Sequence, residues 1–505
     1  MPVVSSHPRS TVFSRLATWT CIGSLLTGCA VTPRPIDPVA HGARLQEQLK
    51  SVIASEAPIT GPIGLYEAMA RAVKYNLDYR IEVMDEILRS RQLELKSHDQ
   101  LPQLVATGNQ SLRNNQPGGR SRSLVTGLES QESSTSSDKN ARAAELTLSW
   151  DVLDFGLSYV RAQQGANESL ISLERRRKVI NRIIEDVRTA YWRAVSADRT
   201  LDQLGRVNGM AVEALHESQK LEDRKVVGPL QALNFQRDLL QIQADVAKLQ
   251  RELVLAKRQL AALMNIAPDQ DFQLEIPDRT ESVPELPGSV GEMVTLAFQL
   301  RPELREGAYR MRINDQELQA ALIQNLPSLR GVLGINHDAN RLLDNQNWLS
   351  ASTRTSWNLL NVFRYPAMRR ALEAQGDVLQ QRQLALAMAV LTQVSVARVR
   401  FTQVGRELAL ARRQQLVHER ILSMTRAGNA ASTISRQQLV REEMAAVLSE
   451  IKFDLAYADM QNAYANLYAS IGIDTFGPDI TGREDLPTLA RSLEQLWRAR
   501  ASDQL

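Results

Sequence analysis

The sequence predicts a mainly α-helical chain with a small β part, made of one unit used twice. Three observations point there. The phrase "SWDVLDFG" at Ser149 to Gly156 is answered 207 residues later by "SWNLLNVF" at Ser356 to Phe363. Aromatic residues make up only 5% of the 505 positions while Leu, Ala, Gln, Arg and Glu dominate, which suits long helices more than compact α/β domains. Finally, Leu239, Ile242, Val246, Leu249, Leu253, Ala256, Leu260 and Leu263 step alternately by three and four residues, an unbroken a/d seam.

The first element is a targeting segment. Arg9 and Arg15 precede a short apolar run from Leu16 to Leu26, too short to span a bilayer and laid out as a secretory signal. It ends in Leu26-Thr27-Gly28-Cys29, which resembles the bacterial lipobox, with Cys29 as the lipidated first residue of the mature chain. The alternative is an ordinary signal peptide with an incidental cysteine. Residues 1–28 are thus expected to be a lipoprotein signal peptide and 29–62 an N-terminal tether. Lys and Arg (60) balance Asp and Glu (57), so the charge implies no nucleic-acid partner. With Cys21 in the signal and Cys29 lipidated, the mature chain has no cysteine pair for a disulfide.

The repeats run over 63–266 and 289–473, joined by a Pro-rich connector at 267–288 and followed by a tail at 474–505. "AMARAVKYNLDYR" from Ala68 aligns with "MVTLAFQLRPELR" from Met293, and "LPQL" from Leu101 with "LPSL" from Leu326, both offset by 225. The offset falls to 207 at the tryptophans. The first repeat therefore carries 18 additional residues, placed in the Gly/Ser-rich stretch Asn114 to Asn140.

Within each repeat the expected order is helix, β-hairpin, long helical hairpin. Leu65 to Leu101 lacks Pro and Gly and keeps helical apolar spacing until Pro102. The β-hairpins fall at 102–153 and 327–360. Leu146, Leu148, Trp150 and Val152 alternate with Glu145, Thr147, Ser149 and Asp151, giving one apolar and one polar face. Helical runs then extend from about Leu157 to Lys225 and from about Pro366 to Arg426, each roughly 90–105 Å long at 1.5 Å per residue. They are expected to turn at Gly228-Pro229 and at Gly428-Asn429, with glycine supplying a conformation other residues resist. The glycines do not match in register. Trp150 to Gly228 is 78 residues and Trp357 to Gly428 is 71, so either the hairpins differ or one tip lies elsewhere.

Four strands of about ten residues can cross a bilayer when tilted, but an open sheet edge in lipid leaves backbone groups unsatisfied at several kcal/mol each. Such a chain must close a barrel with copies of itself. Three copies give twelve strands, and two give a narrow eight-stranded barrel filled by side chains.

The duplicated plan, the Ala-x(3)-Asn-x-Asp phrase ending in Arg80, the Leu-Pro stops, "WDVLDFG" and "VVGPL" together resemble the outer membrane factor (TolC-like) family, lipoprotein branch. The resemblance covers Leu65 to Ile473. It implies a homotrimer: a 12-stranded β-barrel in the outer membrane continuing into a periplasmic α-barrel. Its tips would meet a periplasmic membrane-fusion adaptor linked to an inner-membrane transporter, in efflux or type I secretion, with passive conduction. It further implies adaptor-docking tips at Val227, Gly228, Pro229 and Leu230 and, with a departure from the family pattern, at Ala427, Gly428 and Asn429. Trp150 and Trp357 would sit at the membrane interface, with Asp151, Asp154, Asn358 and Asn361 capping the helices that follow and Gly156 freeing the first junction.

Known members carry acids shortly after the second tip; here the first is Glu442, and Arg436 and Arg441 stand in that segment. Both are expected either to hold the entrance through acids on neighbouring helices or to lie on a solvated helix face. Six scattered histidines, no phosphate-binding loop and no nucleophile elbow argue against metal, cofactor and enzyme chemistry. A coiled-coil structural lipoprotein without a pore is the alternative reading, and a cell-envelope enzyme a more distant one.

Overall fold

The structure, a computed structural model, describes residues 35–54, 56–267, 270–279, 288–473, 482 and 484–502. Cys29, the signal segment and most of the prolines of the connector lie outside these residues. Helix α1, Pro38–Ala54, belongs to a unit of its own, and the Asp37 carboxylate accepts from Val39 N at 3.0 Å at its start.

From Pro58 onward the two repeats follow one plan. The first comprises α2 (Leu65–Tyr75), α3 (Leu77–His98), β1 (Gln103–Leu112), β2 (Asn140–Asp151), α4 (Val152–Asp223) and α5 (Pro229–Leu263). The second comprises α6 (Val290–Leu300), α7 (Pro302–Ile323), β3 (Ser328–Asp338), β4 (Asn347–Ser356), α8 (Asn361–Ala430) and α9 (Arg436–Ile471). Helix α10 (Leu486–Ser502) closes the chain, burying Leu489 and Leu493 beside α2.

The single helix expected from Leu65 to Leu101 is in fact two. Asn76 leaves the helical region (φ −63°, ψ 125°), and its side chain accepts from Tyr79 N at 3.1 Å to cap α3. The second repeat breaks at the equivalent Arg301 (φ −65°, ψ 123°) by a different chemistry, because Pro302 excludes the α conformation from the residue before it.

The four strands form one antiparallel sheet in the order β1-β2-β3-β4. Trp150 pairs with Gly331 across the β2–β3 seam, where the two repeats meet. Among the described residues the outer edges of β1 and β4 are unpaired, and both strands are exposed along their whole length.

Below the sheet the long helices pack in antiparallel pairs. Leu239, Val246, Leu253, Ala256 and Leu260 of the a/d seam are buried, with Ile242, Leu249 and Leu263 half-buried. Leu239, Val246 and Leu253 meet Leu204, Val207 and Ala211 of α4, and Met444, Leu448 and Ile451 of α9 join the same core, while Leu260 packs in the neighbouring core with Ile183 and Val187. The seam thus serves three helices, two from one repeat and one from the other.

Candidate functional site

Three regions carry the side chains that matter: the strand-to-helix junctions, a belt of ion pairs around α4, and the hairpin tips.

At the first junction Asp151 caps α4. One carboxylate oxygen accepts from Leu153 N at 2.9 Å, and the other accepts from Ser328 Oγ at 2.6 Å, tying β2 to the start of β3. Arg330 lies 3.5 Å from the same carboxylate. Asp154, expected to cap as well, is instead in the first turn, and its carboxylate faces Arg330 at 3.8 Å. The second junction differs: Leu360 N donates to Asn358 Oδ1 at 3.2 Å, while Asn361 Nδ2 donates to Gln324 O. Gly156 does not free the first junction, because it lies inside α4, where an added Cβ would meet Ile323 at an ordinary 3.7 Å. Trp150 is half-exposed and stands edge-on to Phe155 with ring centres 5.6 Å apart; Trp357 is half-exposed, and its indole N–H donates to Asn325 O at 2.9 Å.

The belt was not foreseen. In "ERRRK" three successive arginines, each turned about 100° from the last, fan out from α4. Arg175 reaches Glu306 of α7 at 3.1 Å, Arg176 reaches Glu86 of α3 at 3.0 Å, and Arg177 pairs with Glu174 at 3.0 Å. One tribasic run thus fixes α4 between a helix of each repeat; its signal was the run itself, which reads at first as a solvated face. Burial raises the Glu306 pKa, but hydrogen bonds from Arg310 and Arg175 outweigh it and hold the group below the ordinary glutamate value. Its contribution is therefore complete above that ordinary value and disappears as pH falls through the lowered one. Glu306→Gln is expected to lower stability by about 1–2 kcal/mol at neutral pH. Thermal midpoints against pH check this: the gap between the two proteins closes as the medium is acidified.

The tips correct the glycine reading. Gly228 has φ −59°, an ordinary value, and serves as N-cap of α5; the left-handed residue of that turn is Lys225 (φ 54°). Gly428 lies inside α8, which runs on to Ala430, and the second turn's left-handed residue is Ser432 (φ 57°). Lys225 and Ser432 are 207 residues apart, the same interval that separates Trp150 from Trp357, so the two hairpins are equal in length. Their hydrogen bonds match as well, Val226 N to Leu221 O and Thr433 N to Gly428 O. The equivalent of Gly228 is Ser435, which caps α9 by accepting from Gln438 N at 3.2 Å. The tip expected at Gly428-Asn429 therefore lies further on: Gly428 stands seven residues, one heptad, before Ser435.

This makes an unusual prediction. Lys225→Gly and Ser432→Gly should each stabilise the protein by about 1 kcal/mol, because a side chain disfavours the left-handed region. Gly228→Ala should be close to neutral, since an added Cβ there meets nothing within 4 Å, whereas at Gly428 it would meet Ile434 Cδ1 at 2.5 Å. Melting curves of the four variants decide the order.

At this end the first turns of α5 and α9 flank an open cleft of about 650 Å³, lined by Gly228, Pro229, Leu230, Asp238 and Arg441 among others. Leu230 is exposed, Val227 is half-buried, and Asn429 Nδ2 donates to Ile434 O at 2.9 Å. Ala427 is exposed on the last turns of α8. Arg436 is the first residue of α9, and Arg441 lies 3.6 Å from Glu442 on its own helix. The structure thus gathers Gly228, Pro229, Leu230 and Arg441 at one cleft and leaves Val227, Ala427, Gly428, Asn429 and Arg436 out of its lining, while Cys29 falls outside the described residues.

Among the described residues the architecture is a four-stranded sheet with open edges set on two helical hairpins of about 70 residues per long limb. Solved structures agree. The chain superposes on the open-state MtrE outer membrane channel of Neisseria gonorrhoeae with TM-score 0.61 and 17% identity, covering 81% of this chain and 88% of that one. It matches the CmeC outer membrane channel of Campylobacter jejuni with TM-score 0.62 and 12% identity, over 85% and 89% of the two chains. The outer membrane protein VceC of Vibrio cholerae gives TM-score 0.61 and 11% identity, over 81% and 96%. No family model matches the chain, and no curated protein matches it by sequence. The chain therefore has the fold of these channels, which the sequence reading expected.

Proposed function

We propose that this chain is the outer-membrane channel of a tripartite efflux or type I secretion system, working as a passive homotrimeric conduit. The observation that carries the reading is the open sheet: among the described residues β1 and β4 each present an unpaired edge, while Leu146, Leu148, Leu333 and Ile335 share one exposed face. Two open edges in lipid are untenable, and pairing with further copies removes both at once. Three copies would make a twelve-stranded barrel wide enough to conduct. One stretch of α8 is apolar enough by length and composition to cross a membrane; 22% of it is buried, with Val390, Val394, Ala397 and Phe401 packed against α6 and α9, and most of the rest is exposed.

In this reading Trp150 and Trp357 stand at the membrane interface, where an amphipathic indole is favoured, and Cys29 carries the lipid anchor. The cleft at Gly228, Pro229 and Leu230, with Val227 beside it and Ala427, Gly428 and Asn429 close to the second turn, receives the periplasmic adaptor, which couples the tunnel to an inner-membrane transporter. Arg436 and Arg441 stand near the periplasmic entrance as its gate. Purified protein in a planar bilayer should show discrete conductance steps. Absence of steps from correctly assembled protein overturns the channel reading in favour of a pore-free structural lipoprotein. Alanine at both Arg436 and Arg441 should raise the conductance; an unchanged value and unchanged drug sensitivity remove them from the gate.

A further inference from the structure

The duplication supplies a template for the contact between copies. Each residue of β1 has its equivalent 225 positions later in β3, as Gln103 has Ser328, and Asn140 to Ser149 of β2 have theirs 207 positions later in β4, as Ser149 has Ser356, with Trp357 immediately past the end of β4. The two hairpins confirm that these offsets preserve register: Gln103 pairs with Ser149, and Ser328 pairs with Ser356.

The β2–β3 seam, where Trp150 faces Gly331, joins the end of one repeat to the start of the next. Between copies the same junction recurs, with β4 in place of β2 and β1 in place of β3. Replacing Trp150 by Trp357, and Gly331 by Ala106, fixes the missing seam. We propose that a second copy of this chain adds its β1 to the β4 edge with Trp357 opposite Ala106, so that Thr355 faces Gly108, Thr353 faces Gln110 and Ala351 faces Leu112. This rests on the channel reading and adds the register to it.

Two independent observations agree. A register error of one residue would turn every side chain to the wrong face, yet here Ala351 and Leu112 fall on the side that holds Leu148, Trp150 and Leu333. The helices below show the same rule. Val160, Gln164, Asn167 and Ile171 of α4 are buried, and Asn167 Nδ2 donates to Gln316 Oε1 of α7 at 3.0 Å. Their equivalents on α8, Ala367, Ala371, Ala374 and Val378, are all exposed. The equivalents of α7 residues lie on α3, where Ile81, Met84 and Leu88 are exposed. A stripe of small residues on one edge of the protomer thus awaits a stripe of large apolar ones on the other.

Disulfide trapping of the full chain in its native membrane tests this. Thr353→Cys with Gln110→Cys places two residues directly opposite, within the 4.4–6.8 Å Cα span a disulfide accepts. Ala374→Cys with Arg91→Cys, the equivalents of Asn167 and Gln316, tests the helical edge separately should the strand pair disturb assembly. Oxidation should produce covalent dimers and trimers from both pairs, and none from the single-cysteine variants. The shifted pair Thr353→Cys with Ala106→Cys, about 13 Å apart in this register, should stay unlinked. Trimers that link through the shifted pair, or through neither designed pair, overturn the register and leave the channel reading intact. A protein that is monomeric by native mass overturns both.

Discussion

Asp454→Ala is expected to lower stability by about 3–5 kcal/mol, the cost of stranding charges that a buried partner had satisfied. Asp454 lies on α9 with no solvent exposure, and two arginines converge on one of its oxygens. Arg199 comes from α4 in the first repeat and also donates to Pro277 O at 2.7 Å. Arg279 comes from the connector, donates to Asp454 at 2.7 Å and stacks over Phe453. A single carboxylate therefore holds together the second hairpin, the first hairpin and the segment that joins them. The clamp is not duplicated: Arg199 has its equivalent in Arg406, but the position equivalent to Asp454 is Ala247. Asp454→Asn keeps the shape and removes the charge, so it should fall between the wild type and the alanine variant. A double-mutant cycle with Arg199→Ala isolates the pair, and a coupling below about 0.5 kcal/mol would show that the residues act independently.

Leu204→Ala should cost about 2–5 kcal/mol by opening a cavity in the shared core of three helices. Leu204 is fully buried and packs in the cluster that holds Leu239, Val246 and Met444. Because α4 and α5 of the first hairpin are met there by α9 of the second, the site has little freedom to collapse around the missing atoms, which favours the upper part of that range. The control is Leu233→Ala on the exposed side of α5, which should stay within about 0.5 kcal/mol. Thermal denaturation of the two variants in detergent gives the comparison directly.

The architecture was legible because it rests on periodicity. The a/d steps of α5, the alternation of β2 and the repeated tryptophan phrase each report a geometry that recurs over many residues, so a single ambiguous position does not change the answer. The tips are less legible, because glycine does not mark the left-handed backbone of these turns. In both turns a non-glycine occupies that conformation, Lys225 and Ser432, held there by the hydrogen bonds that end the preceding helix. The interval from the tryptophans, applied to the tips, would have placed Ser435 opposite Gly228 without any reference to glycine. The break at Asn76 was similarly within reach, since its aligned partner precedes Pro302. The arginine fan and the Asp454 clamp were not, because which helices a charged residue faces depends on packing between elements distant in sequence.

On the proposed channel function, one chain is an incomplete barrel completed by copies of itself. Native mass spectrometry of the detergent-extracted protein tests it most directly. One species at three times the protomer mass is expected; a monomer, or a dimer that could form only a narrow eight-stranded barrel, would contradict closure by three copies.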